Sequence, residues 1–175
     1  NKNKVKEFAK SHSATVSELA GKDRFDTAVK VANKTITTLG NKGKVIIADG
    51  RNYPDAVSIA PYASKEGIPV LLANGNNASK EVKDFLAKNN IKEAIIVGGD
   101  KAVGKDVEKL FKKVDRISGA NRYETSAKIA EKFFASTDGI FMASGEAFAD
   151  SLSVSYYASQ KNTPVVLTRP TRLHD

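Results

Sequence analysis

The chain has 175 residues, of which 41% are hydrophobic and 27% are charged, and it carries a formal charge of +8. This composition is too apolar for a disordered tail, and apolar runs of about four to six residues are too short to cross a membrane. The absence of cysteine excludes disulfides, thiolate metal sites and cysteine nucleophiles. The positive charge favours a polyanionic partner, although lysines that only solvate helix faces would give the same charge.

The predicted elements alternate between helix and strand. Apolar residues at helical spacing predict helices, and short β-branched runs that end in turn residues predict buried strands. In chain order, the predictions are a helix over 23–37, a strand over 44–48, a helix over 55–65, a strand over 69–73, a helix over 79–89, a strand over 93–97 and a helix carrying Val103, Val107 and Leu110. Because the strands are apolar throughout, they predict an α/β fold with mainly parallel sheets flanked by helices.

A tandem repeat organises the chain. Residues 24–34 (RFDTAVKVANK) return as residues 122–132 (RYETSAKIAEK), and Gly21 returns as Gly119 at the same offset. A second block, residues 49–74, returns as residues 144–169, and it pairs Asp55 with Asp150, Tyr62 with Tyr157 and Pro69 with Pro164. Two blocks that recur in the same order indicate duplication of one supersecondary unit.

The repeat predicts two modules. Module one covers residues 15–113 and module two covers residues 114–175, while residues 1–14 are a linker or the end of a preceding module. Module two has no counterpart of residues 79–111, so it is predicted to be incomplete at its C-terminal end. Equivalent residues of the two modules should occupy the same topological positions, with parallel strands at Val45, Val70 and Ile95.

An ordered set of short motifs resembles the cell-wall-binding repeat of type 2. LAGKDRFDTA (residues 19–28) and ISGANRYETS (residues 117–126) resemble the opening of that repeat. Its later parts resemble DAVS (55–58) and DSLS (150–153), PVLL (69–72) and PVVL (164–167), and IVGG (96–99) followed by Ala102 and Val103. Each tetrapeptide alone is unspecific, but their order along the chain is specific.

The resemblance implies a location and a function. The family occurs in surface and S-layer-associated proteins of clostridia and related Gram-positive bacteria, as tandem Rossmann-like or toprim-like modules. These modules hold a secreted protein non-covalently to an anionic secondary wall polymer, and they pack against other modules of the same type. The resemblance therefore implies an extracellular, wall-bound protein. The lack of Trp and of an arginine-rich stripe argues against a nucleic-acid partner, and the short apolar runs argue against membrane insertion.

Two pairs of residues that recur in both modules are candidates for ligand binding. Arg24 and Arg122 each begin a predicted helix, where a cation opposes the helix dipole and needs either an anionic ligand or a neighbouring carboxylate such as Asp26 or Glu124. Asp55 and Asp150 stand where a turn leads into a helix. There a carboxylate either caps the helix or binds a hydroxyl or cation at the carboxyl edge of the sheet.

Gly98 and Gly99 are the remaining candidates. They follow a strand and precede a predicted helix, a setting in which backbone amides bind phosphate. The alternative is a tight turn that requires glycine geometry. Neither a dinucleotide fingerprint nor a phosphate loop of the Walker type is present. The alternative function is a small-molecule or nucleotide-phosphate-binding α/β protein, which would need one phosphate loop rather than a duplicated module.

Catalytic motifs are missing from the sequence. His12 and His174 lie near the chain ends, so no histidine-based triad or zinc site is expected. The clustered acids of metal-dependent nucleotidyl transfer do not occur, and no feature favours paired carboxylates of the glycosidase type, although spacing alone does not exclude them. The chain is predicted to be non-enzymatic and to need neither cofactor nor metal.

Overall fold

The computed structural model describes residues 2–170 of the chain. Its helices are α1 (Lys2–Ser11), α2 (Arg24–Leu39), α3 (Pro54–Glu66), α4 (Lys80–Lys88), α5 (Lys105–Glu108), α6 (Arg122–Phe133) and α7 (Ala149–Gln160). Its strands are β1 (Lys44–Asp49), β2 (Val70–Ala73), β3 (Glu93–Val97), β4 (Lys113–Ile117), β5 (Phe141–Ser144) and β6 (Val165–Thr168). His174 lies outside the described residues.

Two parallel sheets form the fold. The first has the strand order β2-β1-β3-β4, and the second pairs β5 with β6. Ile46 of β1 lies opposite Val70 on one side and Ile95 on the other, both in parallel register. The predicted α/β class and the parallel strands at Val45, Val70 and Ile95 are therefore confirmed.

The first sheet is buried on both faces, as its uninterrupted apolar strands predicted. On one face, Ile47, Leu71 and Ile96 pack with apolar residues of α2 and α4. On the other face, Ile46, Ile95 and Val97 pack against α3 and against residues of α6. Because both faces exclude water, alternation with polar residues has no place in these strands.

Most predicted elements are found within two residues of their expected ends, but the prediction for the last helix of module one is wrong. Instead of a helix that includes Val103, α5 forms a single turn from Lys105. Val103 lies in an isolated bridge to Gly75, and the Gly104 amide donates to the Gly75 carbonyl at 3.0 Å. This tie to the preceding loop holds residues 103–104 out of the helix.

The β4 strand lies on the module boundary that the repeat predicted. Its residues continue the first sheet, with Val97 of β3 opposite Ile117 and the Gly98 amide donating to the Ile117 carbonyl at 2.8 Å. The α6 helix of the second repeat follows directly. The boundary between residues 113 and 114 stays a prediction, and it falls inside this strand.

The two modules pack through α3. This helix contacts α7 and α6 of the second module. The Tyr62 ring stacks on the Phe133 ring with centroids 3.8 Å apart, and the Lys65 ammonium donates to the Asn162 side chain at 2.8 Å. The stack belongs to an apolar cluster that contains Ile59 of α3 and Ile129 of α6. The modules therefore share part of one core.

Candidate functional site

A cleft of about 580 Å³ opens at the carboxyl edge of the first sheet. It lies between the ends of β1 and β3, and the start of α6 closes its far side. The chain turns to one side of β1 to form β2 and then to the other side to form β3. Such a reversal of strand order is where open α/β sheets bind ligands.

The cleft collects four of the six candidate residues. Asp55, Gly98 and Gly99 come from module one, and Arg122 comes from module two. Arg24 and Asp150 do not line it. Arg24 lies in a second groove beside Gly50 and Phe148, and Asp150 is exposed on α7.

Gly98 occupies a backbone conformation that requires glycine. Its φ is +104°, and a Cβ there would overlap the Asp55 carboxylate and lie 2.9 Å from the Ala102 side chain. The Gly99 carbonyl accepts hydrogen bonds from the Ala102 and Val103 amides, at 2.9 and 3.0 Å. The pair therefore forms a tight turn, and the phosphate-binding helix start predicted directly after it is not there, because α5 begins only at Lys105.

Asp55 is the second residue of α3, after Pro54, and its side chain faces the cleft floor. It is not the cap of the helix, since that position is Tyr53. Burial, followed by the charge of Asp49, raises the pKa of the Asp55 carboxyl, and the charge of Arg122 opposes this rise. Within residues 2–170, the structure records no hydrogen bond to this carboxylate, so it is available to a ligand.

The two candidate arginines make the same scaffold contact in their own modules. The Arg24 guanidinium donates to the Gly50 carbonyl at 2.8 Å, and the Arg122 guanidinium donates to the Gly145 carbonyl. These carbonyls, rather than the Asp26 or Glu124 carboxylates, compensate the cation at each helix start. One Nη atom of each arginine is used in this way.

Four charged residues that line the cleft were not predicted from the sequence: Asp49, Asp100, Lys101 and Arg116. Asp49 is buried and accepts from the Arg51 side chain at 2.8 Å and from the Asn52 amide group at 3.1 Å. Burial alone would raise the pKa of the Asp49 carboxyl, but these donors outweigh it and hold the pKa below its ordinary value. Asp49, together with the Arg51 and Asn52 side chains that donate to it, is therefore part of the scaffold.

Arg116 and Lys101, the two cations among these residues, differ in their availability to a ligand. The Arg116 guanidinium donates to Glu108 at 2.8 Å and to the carbonyls of Gly98 and Val103 at 2.6 and 2.8 Å, so it is occupied. Lys101 lines the cleft mouth and forms no ion pair with any described residue. Neither could be found from sequence, because β4 and the turn after Gly99 were not predicted.

The cleft thus mixes charges of both signs. Asp49, Asp55 and Asp100 face Lys101, Arg116 and Arg122. With Asp49 and Arg116 committed to the scaffold, the cations with donors to spare are Arg122 and Lys101. Such a lining suits a ligand that carries both anionic groups and hydroxyls, because cations bind the former and a carboxylate accepts from the latter.

Comparison with known proteins identifies the repeat. The sequence model of cell wall binding domain 2 (CWB2) matches residues 18–108 and 116–175. In the described part of the chain, no helix is long and apolar enough to cross a bilayer. The CWB2 assignment agrees with the resemblance found in the motifs.

Two relatives come from Bacillus subtilis strain 168. The chain is 31% identical over 164 residues to the N-acetylmuramoyl-L-alanine amidase LytC, covering 94% of this chain and 32% of that protein. It is 33% identical over 165 residues to the amidase enhancer, covering 93% of this chain and 23% of that protein. The chain therefore spans a third or less of the length of either relative.

Two solved structures from Clostridium difficile share the fold. Cwp6 superposes with a TM-score of 0.81 at 30% identity, over 89% of this chain and 25% of that one. Cwp8 superposes with a TM-score of 0.78 at 28% identity, over 97% of this chain and 31% of that one. The family and these neighbours indicate a module of the Gram-positive cell wall surface. With the CWB2 model matching well over half of its residues, the chain belongs to the cell wall binding domain 2 family.

Proposed function

We propose that this chain holds a surface protein to the wall by binding an anionic secondary wall polymer in the cleft between its two modules. One observation carries the proposal: Arg122 of module two faces Asp55 and the Gly98 turn of module one across a cleft at the ligand edge of the sheet. A site built from two modules explains why the family motifs occur in tandem, since one module alone supplies only half of it.

The chemistry of the cleft fits a charged polysaccharide. Arg122 uses one Nη atom for the Gly145 carbonyl, which leaves further N–H groups for a phosphate or carboxylate of the polymer. Lys101 adds a second positive charge at the mouth. The Asp55 carboxylate can accept a hydrogen bond from a sugar hydroxyl. A site that attracted a polyanion by charge alone would not need such an acceptor.

The same geometry supports a binding module rather than a catalyst. Asp49 is held by Arg51 and Asn52, and Asp100 pairs with Arg116 at 3.7 Å, so neither of the other cleft carboxylates is free to share acid and base roles with Asp55. The amidase name of the relative LytC belongs to a protein of which this chain covers 32%. We assign the proposed role to this chain as an anchor that works without a cofactor.

The proposal is tested by a matched pair of arginine substitutions. Arg122→Ala and Arg24→Ala each remove the same contact to a glycine carbonyl, but only Arg122 lines the cleft. Retention on purified wall polymer should weaken for Arg122→Ala by roughly 1.5–3 kcal/mol, about 10- to 150-fold, the worth of hydrogen bonds to a charged group. Arg24→Ala should bind as the unaltered chain does.

Thermal melting of both variants supplies the control. Equal losses of melting temperature, with a loss of retention confined to Arg122→Ala, support the proposal. Equal retention of the two variants would contradict it. Displacement of the polymer by a nucleotide, but not by soluble polymer fragments, would favour the alternative of a nucleotide-phosphate-binding protein.

A further inference from the structure

The segment Thr15–Leu19 has the sequence of an edge strand but no sheet to join. At the offset of the repeat it corresponds to β4, so that Val16 aligns with Val114 and Leu19 aligns with Ile117. Val114 packs against the core on one face of the first sheet, and Ile117 is buried on the other. Val16 and Leu19 are instead 45% and 44% exposed.

The chain on the C-terminal side of this segment is anchored as it is after β4. The Gly21 amide donates to Thr27 at 2.9 Å, as the Gly119 amide does to Thr125. Lys30 donates to the Ala20 carbonyl at 2.6 Å, as Lys128 does to the Ser118 carbonyl at 3.1 Å. Residues 20 and 21 are therefore anchored to α2 as residues 118 and 119 are anchored to α6, and what differs is that residues 15–19 have no neighbouring β3.

We infer that residues 15–19 form a strand that pairs with another module of the same repeat. The partner strand is the one equivalent to β3, at the edge of that module's sheet. Within this chain, β4 shows the finished arrangement: it precedes α6 of the second repeat and pairs in parallel with β3 of the first, from Glu93↔Lys113 to Val97↔Ile117. The two CWB2 matches begin at Glu18 and at Arg116, the same position of each repeat. Glu18 and Arg116 are each the fourth residue of these equivalent segments, so each match begins inside a strand that, in this inference, serves the module before it.

The apolar pattern favours this partner over others. Val16 and Leu19 are three residues apart, so in an extended strand they point to opposite faces. A helix or an open surface would cover one face, whereas insertion at a sheet edge between two helical layers buries both. The inference goes beyond the proposed function and does not depend on polymer binding.

An internal duplication of residues 15–112 tests the inference. In the duplicated chain, the second copy of Thr15 follows Lys112 directly, as Lys113 does in the unaltered chain. Because the sequence has no cysteine, Leu19→Cys can be placed in either copy alone as a specific thiol label site. The cysteine of the first copy should react with a thiol reagent as fast as it does in the unduplicated chain. The cysteine of the second copy should react about tenfold or more slowly, because the strand must open first.

A second duplicated chain keeps the test decisive. It repeats residues 15–117, so the inserted module carries its own β4 and leaves the following copy of Thr15–Leu19 free. Labelling there should be fast. The inference is overturned if both duplicated chains label the second copy equally fast. It is also overturned if, of the two duplicated chains, only the one that retains residues 113–117 in the inserted module shows a cooperative unfolding transition on heating.

Discussion

Gly98 and Gly99 are neighbours in sequence with different physical roles. Gly98 has a φ of +104° and leaves no room for a Cβ beside Asp55 and Ala102, whereas a Cβ on Gly99 would meet nothing within 4 Å. The sequence allowed two interpretations of the pair, phosphate binding by backbone amides or a turn that requires glycine. The structure gives the turn role to Gly98, and Gly99 lines the cleft without being sterically required there.

Substitution of each glycine by alanine should separate these roles. Gly98→Ala should lower the free energy of unfolding by about 1–3 kcal/mol, because the backbone is strained and the Asp55 side chain must move. Gly99→Ala should change it by less than about 0.5 kcal/mol. Urea denaturation of both variants measures the difference. Equal stabilities would show that the turn relaxes to accept a Cβ.

The raised pKa of Asp55 predicts that replacing its carboxyl by a neutral group increases stability, by an amount that depends on pH. Its pKa is raised in the folded state, first by burial and then by Asp49, so ionisation opposes folding above that raised pKa. Asp55→Asn should therefore raise the unfolding free energy at pH 7. The gain should shrink as the pH falls through the raised pKa and vanish below the ordinary value of 3.8, where both side chains are neutral.

Asp150→Asn is the matched control for this experiment. Asp150 is likewise the second residue of its helix, α7, so both substitutions remove the same favourable contact with a helix N-terminus. Because Asp150 is exposed, its substitution should give no gain at pH 7. Melting temperatures of the two variants from pH 7 to pH 3 measure the difference, and parallel curves would contradict the burial argument.

At the scale of elements, hydrophobic periodicity predicted the regular helices and strands. It missed the elements that are fixed by contacts with residues distant in sequence. The strand over residues 93–97 was found with the expected ends, because burial of residues 94–97 on both faces of the sheet requires an uninterrupted apolar run. The β4 strand was missed because its residues, KVDRI, are mostly polar and are fixed by pairing with β3. The cleft was missed for the same reason, since Arg116 and the approach of Arg122 depend on that pairing.

The contact between α3 and the second module predicts a further difference between repeat-equivalent residues. Tyr62 stacks on Phe133 across the interface, while Tyr157 is 54% exposed at the same position of α7. Tyr62→Ala should lower the free energy of unfolding by about 2 kcal/mol or more, from lost burial and a lost aromatic pair. Tyr157→Ala should cost less than about 1 kcal/mol.

Chemical denaturation of the two tyrosine variants checks this prediction. A loss for Tyr62→Ala in one cooperative transition would indicate that the modules unfold together. Two separate transitions, with only one of them shifted, would show that the shared cluster does not couple them. Equal costs at the two positions would contradict the role given to the Phe133 stack.

At the scale of the molecule, the charge of +8 and the mixed charges of the cleft make different predictions about salt. If binding of wall polymer depends on the cleft, Lys101→Gln should weaken it about three- to tenfold at low ionic strength and less at high ionic strength, because salt screens exposed charges. Lys83→Gln, which removes another exposed charge, on α4 and outside the cleft, should have no such effect.

Retention measured over a salt series distinguishes the two cases. Equal effects of the two lysine substitutions would show that the general positive charge of the chain holds the polymer. Retention that does not change with salt in the unaltered chain would point to hydrogen bonds with sugar hydroxyls, such as those available to Asp55, as the main contribution.

The position of β4 also bears on how such proteins change over generations. In this chain, β4 completes the edge of the first sheet and leads into α6, and the second CWB2 match begins inside this strand, at Arg116. Recombination between aligned repeats alters their number and preserves this order. If each repeat is entered through such a strand, an added repeat brings the edge strand that the sheet before it needs, and the number of repeats can vary in a lineage without leaving a sheet short of that strand.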